Sequence, residues 1–407
     1  MDVILPATQI MTSKPISIDA LTSLACSKLQ IMPKNLYHNP VAKNDNDNIK
    51  SLVTENDIVQ VQADHPVFKV IGIAKQKDLK GLITMSMGAP NFFSQLVRMY
   101  EKASDIACIT TNITDVITKR LLALAFEKFG NPPIAFAWIA LGSQARKEQI
   151  AKTHQVNALV LASGATQAHI DYFLKIAHFV NDGLDACGYA YCPGEIMASN
   201  PKWCQSIDDW KHDFRQWILH PEPKVLMRVK TFFDLRCIDG DKSLISELQD
   251  EVASLAKDQQ IFLSLLHQIS LDFQPPIGFF RMFVLSNKGE HKDTLDLNHN
   301  GLLPIIDLAR IYMLSCGQSE EYTLKRLKLA TNTVAITEQS LDKLQDAFEF
   351  ISYLRIQHQE CQLSQGIKPD NYIYPKDLSP LLRDQLRSVF EVVATLQKSL
   401  GQCFIVV

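Results

Sequence analysis

The chain has 407 residues, of which 46% are hydrophobic and 21% charged, with a formal net charge of −3. That length suggests about two to four domains with packed cores, and the near-neutral balance gives no reason to expect a nucleic-acid polyanion as the main partner. Nine singly placed cysteines without a Cys-x-x-Cys pair, no signal-peptide pattern and no apolar run near the ~20 residues of a membrane span argue against a disulfide framework, a zinc ribbon, secretion or a membrane partner, so a cytoplasmic protein is expected.

Residues 1–62 read as a small α/β unit: a short strand "PISI", helical spacing in "LTSLACSKLQIM", then strand, polar turn and strand in "YHNPVAKNDNDNIKSLVTENDIV". Asn44 to Asn48 form the turn, being polar and tolerant of left-handed backbone. The stretches "IMTSKPISI" and "SLVTENDI" resemble one CBS motif. In such a module Thr54 and Asp57 would hold the ribose of an adenine nucleotide. The same pair also reads as a helix N-cap. CBS motifs work in pairs and one is found here, so the resemblance implies a homodimer through this unit or a remnant of a regulatory module.

Residues 63–130 are expected to be helical linker and the start of the following module, punctuated by Gly88-Ala89-Pro90-Asn91. "TNITDVITKRLLALAFEKFG" gives an amphipathic helix with Ile113, Ile117, Leu121 and Leu124 on one face. Thr111 or Asn112 can cap it, and Gly130 before Asn-Pro-Pro ends it. Residues 131–240 form the central α/β domain. "AFAWIAL", "NALVLA" and "TFFDLRCI" read as strands, "AHIDYFLKIAHFVNDGLDACG" as a helix, and "YAYCPGEIMASNPKW" as a loop. From 241 to 407 the pattern is nearly all helical. "DLARIYML", "SLDKLQDAFEFISYLRIQHQE" and "LLRDQLRSVFEVVATLQKSL" carry the apolar faces of a bundle.

Gly142-Ser143 falls where the first central strand turns into a helix. Glycine allows a phosphate to approach the backbone, and helix-start N–H groups with the Ser143 hydroxyl can hold triphosphate oxygens. Arg146 adds a positive charge. In the loop before Trp203, Ser199, Asn200 and Lys202 are candidates for base or ribose contacts, with a loop merely anchored by Met197 and Trp203 as the structural alternative. The polar run Lys288–Asn300 reads either as a solvated connector or, through His291 and Lys292, as a contact to phosphate or protein. His358 reads as an ordinary bundle residue.

"LGSQARKEQIAKTHQVNALV" resembles the nucleotidyltransferase domain found next to CBS modules in bacteria, a relative of protein-PII uridylyltransferases in the polymerase-β-like superfamily. The family pattern is Gly-Ser-x-x-Arg-x-Glu-Gln followed by Thr-Asp-Gln-Asp-Asn-Ala-Leu. Gly142, Ser143, Arg146, Glu148, Gln149, Thr153, Gln155, Asn157, Ala158 and Leu159 match it. "CPGEIMASNPKW" and "FFDLR" match later segments, the second placing Asp234 at the family's third acidic position. "PPIGFFRMFVL", "GEHKDTLDLNHNGLLPIIDLAR" and "PDNYIYP" match the family's C-terminal substrate-binding domain. The resemblance implies an α+β protein: a polymerase-β-like domain between a CBS-like α/β unit and a C-terminal helical bundle.

His154 and Val156 stand where the family has two aspartates. Those carboxylates would hold Mg²⁺ or Mn²⁺ against the nucleotide phosphates. Strand alternation puts 154 and 156 on one face, so both altered positions address the same site, and Asp234 is left as the one carboxylate for a metal. Asp239 or Asp241 moving into the role is a less favoured alternative. The expectation is a signalling protein with a degenerate metal centre, a pseudoenzyme binding a nucleoside triphosphate, an adenine nucleotide or a protein partner. The alternative is an active, Mg²⁺- or Mn²⁺-dependent transferase adding UMP or AMP to a protein hydroxyl.

Overall fold

In the computed structural model, residues 66–151, 153–287, 289–329 and 337–403 are described. The chain divides into two units, 1–75 and 76–407. Of the first, only the helix α1 (Pro66–Ala74) is described. Thr54, Asp57 and the whole CBS-like segment therefore lie outside the described residues.

The second unit begins with α2 (Leu79–Ser86), whose first turn is closed by Asp78 accepting from the Gly81 N–H at 2.7 Å. In α3 (Ala89–Met99) Pro90 sits in the first turn, where its missing N–H costs nothing. The long helix α4 (Ala103–Phe129) starts earlier than its capping signals suggest. Thr111 and Asn112 are buried in its middle, and the Thr111 hydroxyl donates to the Ala107 carbonyl at 2.8 Å. Ile106 and Ala107 extend the apolar stripe upstream, so packing carries the helix past two residues that favour a cap in isolation.

Four strands form the central sheet in the order β3-β2-β1-β4: β1 (Phe136–Leu141), β2 (Asn157–Leu161), β3 (Cys204–Ser206) and β4 (Leu235–Gly240). β1 runs antiparallel to β2 and β4, and β2 is parallel to β3. β1 and β2 are buried along their whole length, which explains their unbroken apolar sequence. The short turn α5 (Gly142–Ala145) follows β1, and α6 (Gln167–Ala186) packs along α4. The segment "TFFDLRCI" is a strand only from Leu235. Its first part is a 3₁₀ turn, Lys230–Phe233, because Phe232 and Phe233 turn into an aromatic cluster with Trp203, Trp210, Phe214 and Trp217 on and beside α7 (Ile207–Leu219).

The rest is helical apart from a two-residue strand pair. After α8 (Pro223–Val229) come α9 (Lys242–Lys257), α10 (Gln260–Ser270), β5 (Leu295–Asp296), α11 (Leu303–Ser315), α12 (Thr323–Leu329), α13 (Glu338–Ser364), β6 (Tyr372–Ile373) and α14 (Pro380–Cys403). α11 is the hub, buried from Pro304 to Leu314 and packed on α9, α10, α12 and α14. One apolar core runs from Ile139 and Val160 of the sheet to Ile305, Phe348 and Phe390 of the bundle. The sheet and bundle thus share an interior, and side chains of α11 and α12 reach the end of the sheet.

Candidate functional site

The candidate residues gather at one end of the sheet. There β1 ends at Leu141, β2 begins after Val156 and β4 begins after Asp234. The Leu141 N–H donates to the Val156 carbonyl and the Gly142 N–H to the Asp234 carbonyl, both at 3.0 Å. Gly142 has φ +58, and a Cβ there would stand 3.0 Å from the Thr231 hydroxyl, so glycine is required by the turn itself. Its N–H, read from the sequence as open to a phosphate, is occupied by the neighbouring strand.

A buried ion pair sets the turn. Arg236 of β4 grips the Asp115 carboxylate of α4 with contacts of 2.9 and 3.0 Å, and it also donates to the Gln144 and Ala145 carbonyls at 2.8 and 3.0 Å. Burial alone would lower the Arg236 pKa, but Asp115 outweighs it and the guanidinium is held above its ordinary value. Gln144 donates to the same carboxylate at 3.1 Å. Ser143 is half-buried beside these groups.

Asp234 is completely buried, and three arginines close on it. Arg146 places Nη1 2.5 Å from Oδ2. Arg310 of α11 is bidentate, with Nη2 2.5 Å from Oδ2 and Nε 3.1 Å from Oδ1. Arg326 of α12 donates Nη1 to Oδ1 and Nε to the Glu320 carbonyl at 2.6 Å. Burial would push the Asp234 carboxyl up, but the three positive charges together overcome it and hold it far below the usual carboxylate range. The arginines have further partners: Arg146 donates to Glu148 at 2.7 Å, Arg310 to Asp307, and Asp307 also accepts from Lys230 at 2.9 Å. Arg146, expected to face a phosphate, instead points into this cage.

The two positions that the resemblance sets against aspartates behave differently. Through 154–157, His154 is exposed, Gln155 buried, Val156 half-buried and Asn157 buried. Val156 packs against the apolar core together with Ile196 and Trp203. Gln155 and Asn157, on the other face, form a buried amide network. Asn181 donates to the Gln155 amide oxygen at 2.6 Å and to that of Asn157 at 3.0 Å, and Asn157 accepts from the Ala198 N–H at 2.8 Å. This network pins the 189–203 loop against the start of β2. The loop's candidate contacts are partly used within it. Asn200 accepts from the Lys202 N–H at 3.2 Å and donates to the Glu195 carbonyl at 3.1 Å, while the Ser199 N–H donates to Asn181 at 3.0 Å. The Lys202 side chain is exposed. Trp203 donates to the Glu195 carbonyl and stacks on Trp210, as the anchoring alternative has it.

A Mg²⁺ pair needs several free oxygen ligands. Both Asp234 oxygens are taken by guanidinium groups, position 156 is a hydrocarbon and position 154 an exposed imidazole, so these residues do not fit such a pair. Among the described residues no cluster of three or more His, Cys, Asp or Glu has the geometry for a metal ion. Asp241 caps α9 through Ser243, and Asp239 lies at the irregular point of the β1–β4 ladder, so neither stands in. His291 stacks on Tyr372 with ring centroids 3.5 Å apart, and His358 pairs with Asp370 at 2.8 Å.

An antiparallel sheet end with a Gly-Ser turn, backed by helices and closed by a helical partner, defines a nucleotidyltransferase-like module. Residues 88–224 match the family described as "Putative nucleotidyltransferase DUF294", and residues 260–404 match its companion, the "Putative nucleotidyltransferase substrate binding domain". The two matches show that these two segments are similar to the nucleotidyltransferase family and its companion domain. No curated protein matches the chain. No helix among the described residues is long and apolar enough to cross a membrane.

Proposed function

We propose that this chain is a cytoplasmic signalling component that keeps the nucleotidyltransferase scaffold, binds a nucleotide or a protein partner there, and transfers no nucleotidyl group. The observation that carries the proposal is the cage around Asp234: the one carboxylate left at a metal position has each oxygen committed to guanidinium donors from three separate segments. Metal-ion chemistry supplies several kcal/mol of transition-state stabilisation, and each ~1.4 kcal/mol is tenfold in rate. Loss of the metal seat therefore removes at least ~10³-fold in rate. What remains suits recognition: a Gly-Ser turn with a half-buried Ser143 and the exposed Lys202 on the pinned loop. Kinship with protein-PII uridylyltransferases and control by adenine nucleotide at Thr54 and Asp57 belong to the same proposal, resting on the sequence resemblance alone.

The test pairs two measurements on the full chain. Labelled ATP or UTP with Mg²⁺ or Mn²⁺ is expected to give no label on protein or peptide acceptors, while the same nucleotides raise the melting temperature through preferential binding to the folded state. Robust label transfer, abolished by Asp234→Ala, overturns the proposal in favour of an active transferase.

A further inference from the structure

Beyond the cage, Arg355 is a partly buried cation that makes no ion pair among the described residues. Arg355 projects from α13 and is half-buried. Its Nε donates to the Asn371 amide oxygen at 2.6 Å, while its two terminal nitrogens make no hydrogen bond or ion pair among the described residues. The nearby carboxylates are already engaged: Glu148 holds Arg146, and Asp296 holds His299 at 2.7 Å. Burial consequently pulls the Arg355 guanidinium down to about 10, with the more distant Asp296 and Glu148 compensating only in part. A guanidinium taken partly out of water normally has a carboxylate or phosphate in its fork. Here the fork is open.

Two more cations lie near it, each with a carboxylate of its own: Lys230 with Asp307 at 2.9 Å and His299 with Asp296 at 2.7 Å. His299, half-exposed at the turn before α11, feels the charges of both Arg355 and Lys230. Phe273 ties the group together: its ring stacks near His299, with centroids 5.7 Å apart, and carries the Lys230 ammonium 4.7 Å from its centre. The hydrogen bond to Asp296 keeps the His299 imidazole protonated to higher pH than usual, against the burial and the two cations that oppose it. Asp296 itself also faces the Tyr372 hydroxyl and Arg355. The cluster thus brings together a planar fork, an ammonium held by Asp307 and an imidazolium held by Asp296, with Asp307 linking Lys230 to Arg310 of the cage.

We propose that Arg355, flanked by Lys230 and His299, anchors an anion subsite that takes a phosphate group. It deepens the nucleotide-binding proposal and rests on it only for the source of the phosphate. A phosphate oxygen pair would complete the Arg355 fork, and the charge of a phosphate dianion would be shared with Lys230 and His299.

The experiment is a thermal shift on the full chain with inorganic phosphate, ATP and adenosine as separate probes, for wild type, Arg355→Gln and Arg355→Lys. Glutamine can still donate to Asn371 but carries no charge. The expected result is a rise with phosphate and ATP, none with adenosine, binding at least tenfold weaker in Arg355→Gln, and partial retention in Arg355→Lys. Phosphate acting alone, with ATP inert, sustains the subsite and sinks the nucleotide proposal. ATP binding equally to wild type and Arg355→Gln sinks the subsite and leaves the nucleotide proposal standing. A wild type blind to phosphate overturns the subsite outright. Should Arg355→Gln fail to fold, histidine NMR on wild type decides: phosphate is expected to shift the His299 resonances, assigned through His299→Gln, and raise that ring's pKa, and an unmoved His299 refutes the proposal.

Discussion

Asp234→Asn separates a structural ion cage from an open metal seat. The amide is nearly isosteric, so packing is kept, but the charge that Arg146, Arg310 and Arg326 share is removed, and the new NH₂ faces guanidinium donors. Breaking a buried ion pair by neutralising one member costs about 3–5 kcal/mol, because the partner charge is left buried. Three partners here put the change at the upper end. For a unit of this length the corresponding fall in Tm is about 5–10 °C, from the general scaling of melting temperature with domain size. The assay is urea unfolding followed by circular dichroism at pH 7, with the scan of Tm as a check. An unshielded catalytic carboxylate behaves oppositely, since replacing it commonly leaves stability unchanged or improved. An Asp234→Asn protein as stable as wild type therefore refutes the cage.

The pH dependence of the same pair of proteins gives a second check. The folded-state pKa of Asp234 is depressed, so its contribution is fully present above the unfolded carboxylate value of ~3.9 and is lost as pH falls toward the folded value. The gap between wild type and Asp234→Asn is expected to be constant from pH 7 down to about pH 5 and to shrink only below about pH 4. A gap that closes near neutrality would assign the effect to another group.

Placing carboxylates at both positions by His154→Asp with Val156→Asp is expected to give no Mg²⁺-dependent rise in Tm while Arg310 and Arg326 still hold Asp234; a clear rise would mean that the guanidinium groups yield to metal. Gly240→Ala is expected to destabilise by about 2–4 kcal/mol, since φ is +93 and a Cβ would lie 2.2 Å from the Phe136 carbonyl oxygen. Gly130→Ala, also at positive φ but with open space around it, should cost clearly less in the same denaturant titration.

Much of the scaffold was legible because its signals are local. Unbroken apolar runs marked β1 and β2, helical periodicity marked α4, α6, α13 and α14, and Gly142 marked a turn that requires left-handed backbone. The helix start at Ala103 and the 3₁₀ turn before Asp234 were not legible, because distant packing decides both: the upstream face of α4 in one case, the aromatic cluster around Phe232 in the other. The arginine cage escaped for a related reason. Its members lie 88 and 76 residues from Asp234 in sequence for Arg146 and Arg310, and 92 for Arg326. One signal was present. Asp307 and Arg310 interrupt "PIIDLARIYML", an otherwise apolar helix buried all round, and charges in that setting require partners. Arg326, inside "TLKRLKL", looks like one more solvated cation, and nothing in its neighbourhood distinguishes it.

The cage also differs from a metal centre in what it can exchange. A divalent ion works in transfer chemistry because water, phosphate and nucleophile trade places in its open coordination positions. Guanidinium groups tethered to Arg146, α11 and α12 neutralise Asp234 as effectively, but their donors are directed, already paired and unable to leave. Glu148 and Asp307 balance what Asp234 does not, so the interior is closed both geometrically and electrostatically. Arg355 stands at the edge with its terminal nitrogens unpaired among the described residues, whereas Lys230 stays paired with Asp307 at 2.9 Å. Under the proposed anion subsite, a phosphate would dock at Arg355, outside the cage around Asp234.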